Sequence, residues 1–348
     1  MTATNGVLAD VAVVIVNYRT PGHVLDCLGA LAEERRRSPS FDVVVVDGGS
    51  GDASVETIAA GVAGLGAGDW VSLLPLSING GFGYANNEAI RRLMARATPP
   101  RFIHLLNPDA VIEPGAIAAL RAALEHEPNA ACAGSLLVGE GGEAQGSAFD
   151  FPSMRSEFVR GLGIDRVRRL LGSRSFIASA QTTRVGWVTG ASVMLRMAAL
   201  REAGLFDEGF FLYFEEVELM HRLTDAGWQV LHVPDSRVHH IGGVSTGVAD
   251  GGSAPRRLPG YWYRSRRRYF ALTGGRLHAW MASAAWLTGA LVWRPLFALG
   301  IRPRGAHAPH EEIDLIRQGL YASRRDSAPV ISPWDSPTGH EPAWMKEF

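Results

Sequence analysis

Cysteine is scarce in this chain of 348 residues: Cys27 and Cys132 stand far apart, each in apolar surroundings. That excludes a disulfide framework and a cysteine-rich zinc site, and it predicts two reduced core thiols of the kind a cytoplasmic protein carries. Long apolar runs are missing too. Nowhere are there about 18 to 20 clean apolar residues, the usual minimum for a membrane-spanning helix. The nearest stretch, AWMASAAWLTGALVW (Ala279 to Trp293), is bounded by His278 and Arg294 and is rich in tryptophan. The amino-terminal MTATNGVLADVAVVIVNY has no basic start, and its apolar run is too short for a signal peptide. Neither sign of charge is in excess: the formal net charge of -1 argues against a general polyanion binder and against an acidic tail. With 47% hydrophobic and 20% charged residues the mix is that of a globular protein, long enough for one large domain or two smaller ones. No internal repeat is visible.

What is present is an alternation of strands and helices. VAVVIVNY (Val11 to Tyr18) is a continuous β-branched run, the mark of a strand covered on both faces. HVLDCLGALAEERRR has helical spacing, with Val24, Leu25, Leu28 and Leu31 on one face. FDVVVVDGGSGD is a second buried strand that breaks at Asp47, SVETIAAGVAGL a helix, VSLLPLS a third strand, NGGFGYANNEAIRRLMARA a glycine-rich loop running into a helix, and RFIHLLNPDA a fourth strand. This order predicts a parallel α/β sheet with right-handed crossovers. EPGAIAALRAALEHEPN follows as a helix. Residues 139–182 are glycine- and arginine-rich with weak periodicity, and are expected to form a mobile insertion able to close over a substrate. RVGWVTGASVMLRMAALREAG reads as strand then helix, and LFDEGFFLYFEEVELMHRLTDAGWQVLHVPDSRVHHIGG as loop, acidic helix start, helix and strand. Beyond residue 250 the chain turns basic and aromatic, then amphipathic, then proline-punctuated, with a loosely ordered end expected.

In open parallel sheets, ligands sit beyond the carboxyl ends of the strands. Here those ends read Asn17-Tyr18, Asp47-Gly48-Gly49, Asn79-Gly80-Gly81 and Asn107-Pro108-Asp109. Each alone is ordinary turn chemistry; four in one half make a constellation. A carboxylate at a buried strand end, as at Asp109, calls for a cation or a turn-capping role. Mg²⁺ takes few protein ligands and completes its shell with phosphate and water. Asp47 could accept from a base or a ribose hydroxyl, or form an Asx-turn. The glycines 80, 81 and 83 precede a helix, where backbone amides attract phosphate. Their spacing is neither a Walker loop, whose lysine is absent, nor a dinucleotide fingerprint.

Glu215, Glu216 and Glu218 crowd one helix start, where the dipole favours carboxylates. The preceding Phe210-Phe211-Leu212-Tyr213-Phe214 and the like charges would also raise a carboxyl pKa toward general-base values. Residues 215 and 218 share a face, so one acid can meet a substrate while another caps the helix or holds an arginine. Of His239 and His240, strand alternation lets only one face a site.

Taken in order, VAVVIVNYRT, VVVVDGGSGD, NGGFGYANN, LLNPDAVIEPG, GASVMLRMAALREAGLFDEGFFLYFEEVELMHRLTDAGW and VPDSRVHHIGG make residues 11–243 resemble the family 2 glycosyltransferases of GT-A fold. The likeness is to the rhamnosyltransferase-like branch that builds bacterial cell-surface polysaccharide, and YRSRRRYF resembles a segment that follows its catalytic domain. The resemblance implies a Rossmann-like, mostly parallel sheet flanked by helices over residues 1–250, with a nucleotide-binding half at about 10–112 and an acceptor half at 113–250. A helical, basic extension would occupy 251–348. It implies inverting transfer from a nucleoside diphosphate sugar (dTDP-, UDP- or GDP-linked, with dTDP-rhamnose as the guess by likeness) to a saccharide or polyprenyl-linked saccharide, with Mg²⁺ or Mn²⁺ as cofactor. Carried over by residue, Asp47 contacts the base, and Asn17 and Tyr18 line the nucleotide pocket. Asn79, Gly81 and Phe82 shape the ribose-diphosphate loop. Asn107 replaces the first acid of the family's DXD motif on the nucleotide side, and Asp109 is its last acid. His240 supplies a second metal ligand, Glu216 or its neighbour Glu215 is the base, and Trp187 and Gly190 contact the acceptor.

The arginine cluster ahead of an aromatic, apolar helix suggests anionic lipid or a lipid diphosphate, and Trp280, Trp286 and Trp293 suit a membrane interface. A peripheral enzyme on the inner face of the cell membrane is the expectation. The alternative is packing of this tail on the catalytic domain or on a second subunit in a homodimer. Rival functions are a nucleotide-sugar-binding protein without catalysis and a nucleotidyltransferase, although VNYRTPGH lacks the glycine-, arginine- and lysine-bearing loop of the latter. Nucleic acid is not an expected partner, since no recognition motif surrounds the single basic stretch.

Overall fold

The computed structural model describes residues 10–38, 41–139, 141–163, 177, 179–241, 257–298, 307–320, 331–332 and 334–347. Four parallel strands lead: β1 (Val11–Asn17), β2 (Phe41–Asp47), β3 (Val71–Pro75) and β4 (Phe102–Leu106), laid side by side as β3-β2-β1-β4. Helices α1 (Pro21–Arg37), α2 (Ser54–Gly64) and α3 (Phe82–Met94) connect them. Strand β1 is buried on both faces. Val11, Val13 and Ile15 join a core under α1, α2 and α4 (Ala116–His126), while Ala12 and Val14 join a second core under α3. An unbroken β-branched run is the residue choice such a strand requires. Cys27 and Cys132 are buried and unpaired.

Past β4 the sheet changes character. A short β5 (Ala110–Ile112) is followed by β6 (Ala130–Val138), a two-stranded side ribbon of β7 (Ala148–Phe149) and β9 (Trp187–Val188), and β8 (Thr183–Val185), β10 (Ser192–Arg196) and β11 (Gln229–His240). The main sheet runs β3-β2-β1-β4-β10-β6-β11-β5, with β8 also on β11. Strand β10 lies antiparallel to both β4 and β6, so parallel order holds in the first half and mixed order in the second. Helices α6 (Met197–Ala203) and α7 (Glu215–Asp225) cover the α3 face through Leu200, Leu219, Met220 and Leu223.

The stretch 139–182, expected to be mobile, holds a packed helix where it is described. Helix α5 (Met154–Leu162) starts with a capping box at Ser153 and lies along α8 (Gly260–Ala298), which breaks at Gly275. The two helices meet at glycines: a Cβ on Gly161 would sit 2.0 Å from the Trp286 carbonyl oxygen, and one on Gly289 2.2 Å from that of Phe158. Residues 140, 164–176 and 178 of that stretch lie outside the described residues.

The arginine cluster turns inward. Arg266 donates to buried Glu157 (3.0 and 2.5 Å) and to Ser283. Arg268 grips Asp207 with two bonds of 3.0 Å, Arg267 reaches the Gln318 carbonyl, and Arg257 pairs with Asp314. Arg257, although paired, and Arg264 are exposed, and Arg256 lies outside the described residues. The expectation of a lipid-facing arginine patch is therefore corrected for Arg266, Arg267 and Arg268. Buried acids demand paired cations, and Arg266 and Arg268 answer Glu157 and Asp207, which ties α8 to the chain before residue 241. Trp286, offered above as an interface residue, is fully buried; Trp280 is half exposed, and the Trp293 side chain lies outside the described residues.

Candidate active site

The strand ends converge as the sheet topology requires. Asn17 and Asp47 are register partners at the ends of β1 and β2. The Asn17 amide donates to Asp47 Oδ1 (2.7 Å), and Ser50 adds its hydroxyl (2.6 Å) to the same oxygen and its N–H (3.0 Å) to Oδ2. The Asn17 carbonyl oxygen meanwhile accepts from the backbone and hydroxyl of Thr20. Asn17, expected on the pocket wall, is thus fully buried with both ends of its amide engaged in holding Asp47 and Thr20, and Asp47 is itself buried and, like Asn17, not among the residues that line the cleft. A carboxylate offers about four acceptor sites; Asp47 has committed three. Ser50 was readable only as a small turn residue.

An open cleft, with about 930 Å³ of space counted out to its mouth, lies beyond these ends. Measured as a cavity it is about 200 Å³, below the roughly 300–1,000 Å³ usual for small-ligand sites. Tyr18, Gly48, Asn79, Gly81, Phe82, Asn107, Gly190, Leu212, Tyr213, Glu215 and Glu216 line it. Val16, Pro108, Thr189 and Ala191 complete the wall; Thr189 had no signal in the sequence beyond its place in a turn.

The glycine loop is held from two sides. Gly81 has φ of 87°, and a Cβ there would lie 1.8 Å from the Phe211 carbonyl oxygen, which accepts the N–H of Phe82 at 3.2 Å. No other residue fits. The Asn79 side chain accepts the Gly81 N–H (3.1 Å), so Asn79 shapes the loop as well as lining the cleft.

Asp109 and His240 meet because of strand pairing. Antiparallel pairing of β5 with β11 sets Ala110 opposite His240, and the Ile241 N–H donates to the Asp109 carbonyl. His240 Nε2 lies 3.4 Å from Asp109 Oδ1 and 3.4 Å from the Asn107 amide nitrogen. Alternation sends His239 the other way, out to Glu113 at 2.9 Å. Burial would raise the Asp109 pKa, but the hydrogen bond and charge of His240 outweigh it and hold the carboxyl below its usual range. Asp109 and His240 stand behind Asn107 rather than on the cleft wall itself.

Helix α7 opens on two consecutive left-handed residues, Tyr213 and Phe214, both at φ 68°. Such backbone costs of order 1–3 kcal/mol per residue, and here it delivers Glu215 and Glu216 to the cleft. Oε2 of each has no hydrogen-bond partner. Burial, then the neighbouring Glu216 charge, pushes Glu215 well above the carboxylate range; burial pushes Glu216 up to about 7. Glu218 takes the structural role, chelating Arg222 (2.9 and 3.0 Å) while Arg222 ties down the carbonyls of Ala203, Gly204 and Leu205. Of the two acceptor-side residues, Gly190 is on the wall against Phe82, whereas Trp187 stacks on Phe149 (4.3 Å) and donates to the Asp150 carbonyl away from it.

Among the described residues no three His, Cys, Asp or Glu side chains gather to hold a metal. The pair Asp109 and His240, with Asn107 beside them, fits a hard cation only if a ligand's phosphate oxygens and water complete the shell.

Residues 9–271 match the family model described as glycosyltransferase like family 2. N-acetylglucosaminyl-diphospho-decaprenol L-rhamnosyltransferase of Mycobacterium tuberculosis is 31% identical over 249 residues, covering 68% of this chain and 77% of the relative. Rhamnosyltransferase WbbL of Escherichia coli (strain K12) is 27% identical over 165 residues, covering 46% of this chain and 60% of the relative. Among solved structures, GalNAc-T7 with UDP, GalNAc and Mn²⁺ superposes with a TM-score of 0.54 at 17% identity, over 90% of this chain and 54% of that one. A mannosyltransferase from Pyrobaculum calidifontis in complex with GDP-Man and Mn²⁺ gives 0.51 at 14% identity, over 92% and 82%. The structures speak for the GT-A fold, and the family model with the mycobacterial relative for the rest: the chain belongs to glycosyltransferase-like family 2 and is a rhamnosyltransferase-like glycosyltransferase.

Proposed function

We propose that this enzyme inverts the anomeric centre of a nucleoside diphosphate sugar, dTDP-rhamnose in the reading its relatives favour, while moving the sugar onto a polyprenyl-linked saccharide. The observation that carries the proposal is the pair of carboxyls at the start of α7, Glu215 buried and Glu216 half-buried, each with an unpartnered oxygen, on one cleft with Asn107, against which the Asp109–His240 pair stands. Glu216 is the base: burial pushes its pKa up to about 7, so near neutrality it can both take and release a proton, and it stands where the family resemblance expects that role. Glu216 Oε2 takes the proton of an acceptor hydroxyl, whose oxygen attacks the anomeric carbon opposite the nucleotide. Asp47 accepts from the base with its remaining lone pair, and the backbone of Gly81 and Phe82 lies along the ribose and diphosphate. Asp109 and His240 would hold Mg²⁺ or Mn²⁺, which when bound supplies Lewis-acid stabilisation of the leaving diphosphate.

A thermal-shift screen of dTDP, UDP and GDP, each with and without Mn²⁺, tests the donor reading. A nucleotide at a hundred times its Kd stabilises by about 2.7 kcal/mol, a rise of a few degrees in Tm for a chain of this size. The rise is expected with metal and one base above the others. No shift with any nucleotide would remove the donor assignment.

The acceptor reading brings a membrane with it. No helix among the described residues is long and apolar enough to cross one. The second arm of α8 does leave Leu277, Trp280, Met281, Leu291 and Val292 exposed, at spacings that share one face. No acid occurs between residues 257 and 310, so an anionic lipid surface is the partner this face suits. Flotation with anionic vesicles should carry the protein, and exchanging Leu277 and Trp280 for serine should weaken that about tenfold. Equal flotation of the doubly substituted protein would count against the assignment.

A further inference from the structure

The end of the chain, expected to be loosely ordered, lies against the glycine loop where it is described. The Trp344 indole N–H donates to the Gly80 carbonyl at 3.0 Å. The Trp344 ring stands edge-on to Phe211 (5.2 Å, 67°), and its backbone N–H donates to the Glu208 carbonyl. One side chain therefore touches both lips of the cleft: the loop that carries Gly81 and Phe82, and the segment whose Phe211 carbonyl receives the Phe82 N–H.

The segment is anchored on either side of that contact. His340 Nε2 lies 2.7 Å from Glu208 Oε2, Tyr84 donates to the His340 carbonyl, and the Gly339 N–H donates to Glu88 at 2.7 Å. Glu88 and Glu208 both belong to a buried cluster closed by Arg91 and Asn87, which also reaches the Phe206 carbonyl. Arg91 in turn holds Ser332. This cluster sits under α3, immediately behind the loop that α3 continues.

We infer that residues 331–347 are a strap belonging to the donor site, and that Trp344 is a positioning residue which sets the Gly80–Gly81 peptide for the nucleoside diphosphate. The inference rests on the donor reading given above. Left-handed Gly81 has several conformations open to it. The Asn79 side chain holds the N–H end of the planar Gly80–Gly81 peptide and the Trp344 indole holds its carbonyl end, while the Phe211 carbonyl holds the next amide, so removing the indole leaves that peptide pinned from one side only. Trp344 is not among the residues that line the cleft, so its effect falls on donor affinity and not on proton transfer.

The test compares Trp344→Phe, which keeps the ring and removes the donor, with Trp334→Ala, which alters the same segment at a half-exposed residue resting on Arg201. Calorimetric titration with dTDP, UDP and GDP in Mn²⁺ reads affinity directly, and steady-state assays separate KM for the donor from kcat. Loss of one hydrogen bond to the loop is expected to raise Kd and donor KM about three- to tenfold with kcat within about twofold, whereas Trp334→Ala leaves both unchanged. Trp344→Ala should exceed Trp344→Phe. If wild type binds nucleotide and Trp344→Phe binds it equally well, the strap is structural packing only and the inference falls. If both variants shift Tm and KM alike, the effect belongs to general stability and the inference also falls. Failure of wild type to bind any nucleoside diphosphate would instead remove the donor reading on which it stands.

Discussion

Glu216→Gln is expected to lower kcat by about 10²- to 10⁴-fold, the usual worth of a general base, with donor affinity unchanged. Glutamine preserves the shape of the side chain and removes the site that receives the proton. Glu215→Gln should cost less than tenfold, because in this reading Glu215 takes no proton from the acceptor hydroxyl. The pair of measurements decides which acid is the base, and activity lost at 215 with activity kept at 216 would reverse the assignment. It also separates turnover from the rival in which the protein only binds nucleotide sugar: such a protein would bind donor identically in wild type and in either variant and turn over in none.

The pH dependence carries the same information. Glu216 must be ionised to act, and burial has moved its pKa up to about 7. The ascending limb of kcat/KM should therefore lie near pH 7 and vanish in Glu216→Gln. Stability runs the opposite way. A carboxyl whose pKa is raised on folding holds its proton more tightly in the native state. Its favourable contribution is complete below the ordinary carboxylate value and is lost as pH rises through about 7. Glu216→Gln should accordingly melt higher than wild type at pH 8, with the gap closing toward pH 5. A protein that became more stable while losing its activity would show a site kept at the expense of the fold.

The parts of this site legible in the sequence share one property: their partners are fixed by strand geometry. Strands β1 to β4 announce themselves by β-branched runs, and parallel pairing then carries Asn17, Asp47 and Asn107 to one edge without further information. His240 rather than His239 faces inward for the same reason, period-two alternation on a strand paired with β5. Strand β6, in mid-sheet, escaped because AACAGSLLV is built from small residues; its Gly134 admits Val188, whose Cβ would lie 2.5 Å from a Cβ there. The antiparallel course of β10 is a matter of chain path, on which local pattern is silent. The inward turn of Arg266 and Arg268 depends on acids 109 and 61 residues away. A basic run and a buried ion-pair set look alike until those acids are placed, and the same holds for Trp344, whose partner Gly80 is 264 residues distant.

Asp109→Asn is the second large effect, and it isolates the cation from everything else at the site. Asparagine keeps the volume of the side chain and can still hydrogen bond to His240, so the β5–β11 junction should hold and Tm without ligand should change little. What is lost is the anionic oxygen a hard divalent cation requires. Activity should fall by about two to four orders of magnitude, as several kcal/mol of charge stabilisation on the leaving diphosphate would imply. The decisive readout does not involve turnover: in wild type Mn²⁺ should add to the thermal stabilisation by the nucleotide, and in Asp109→Asn that increment should disappear while any metal-independent stabilisation remains. Because Asn107 already stands where a second acid would, the described residues offer no spare carboxylate to take over, and the loss should not be rescued by raising Mn²⁺. An Asp109→Asn protein with undiminished activity and an intact metal increment would mean that the buried acid merely caps the turn after β4.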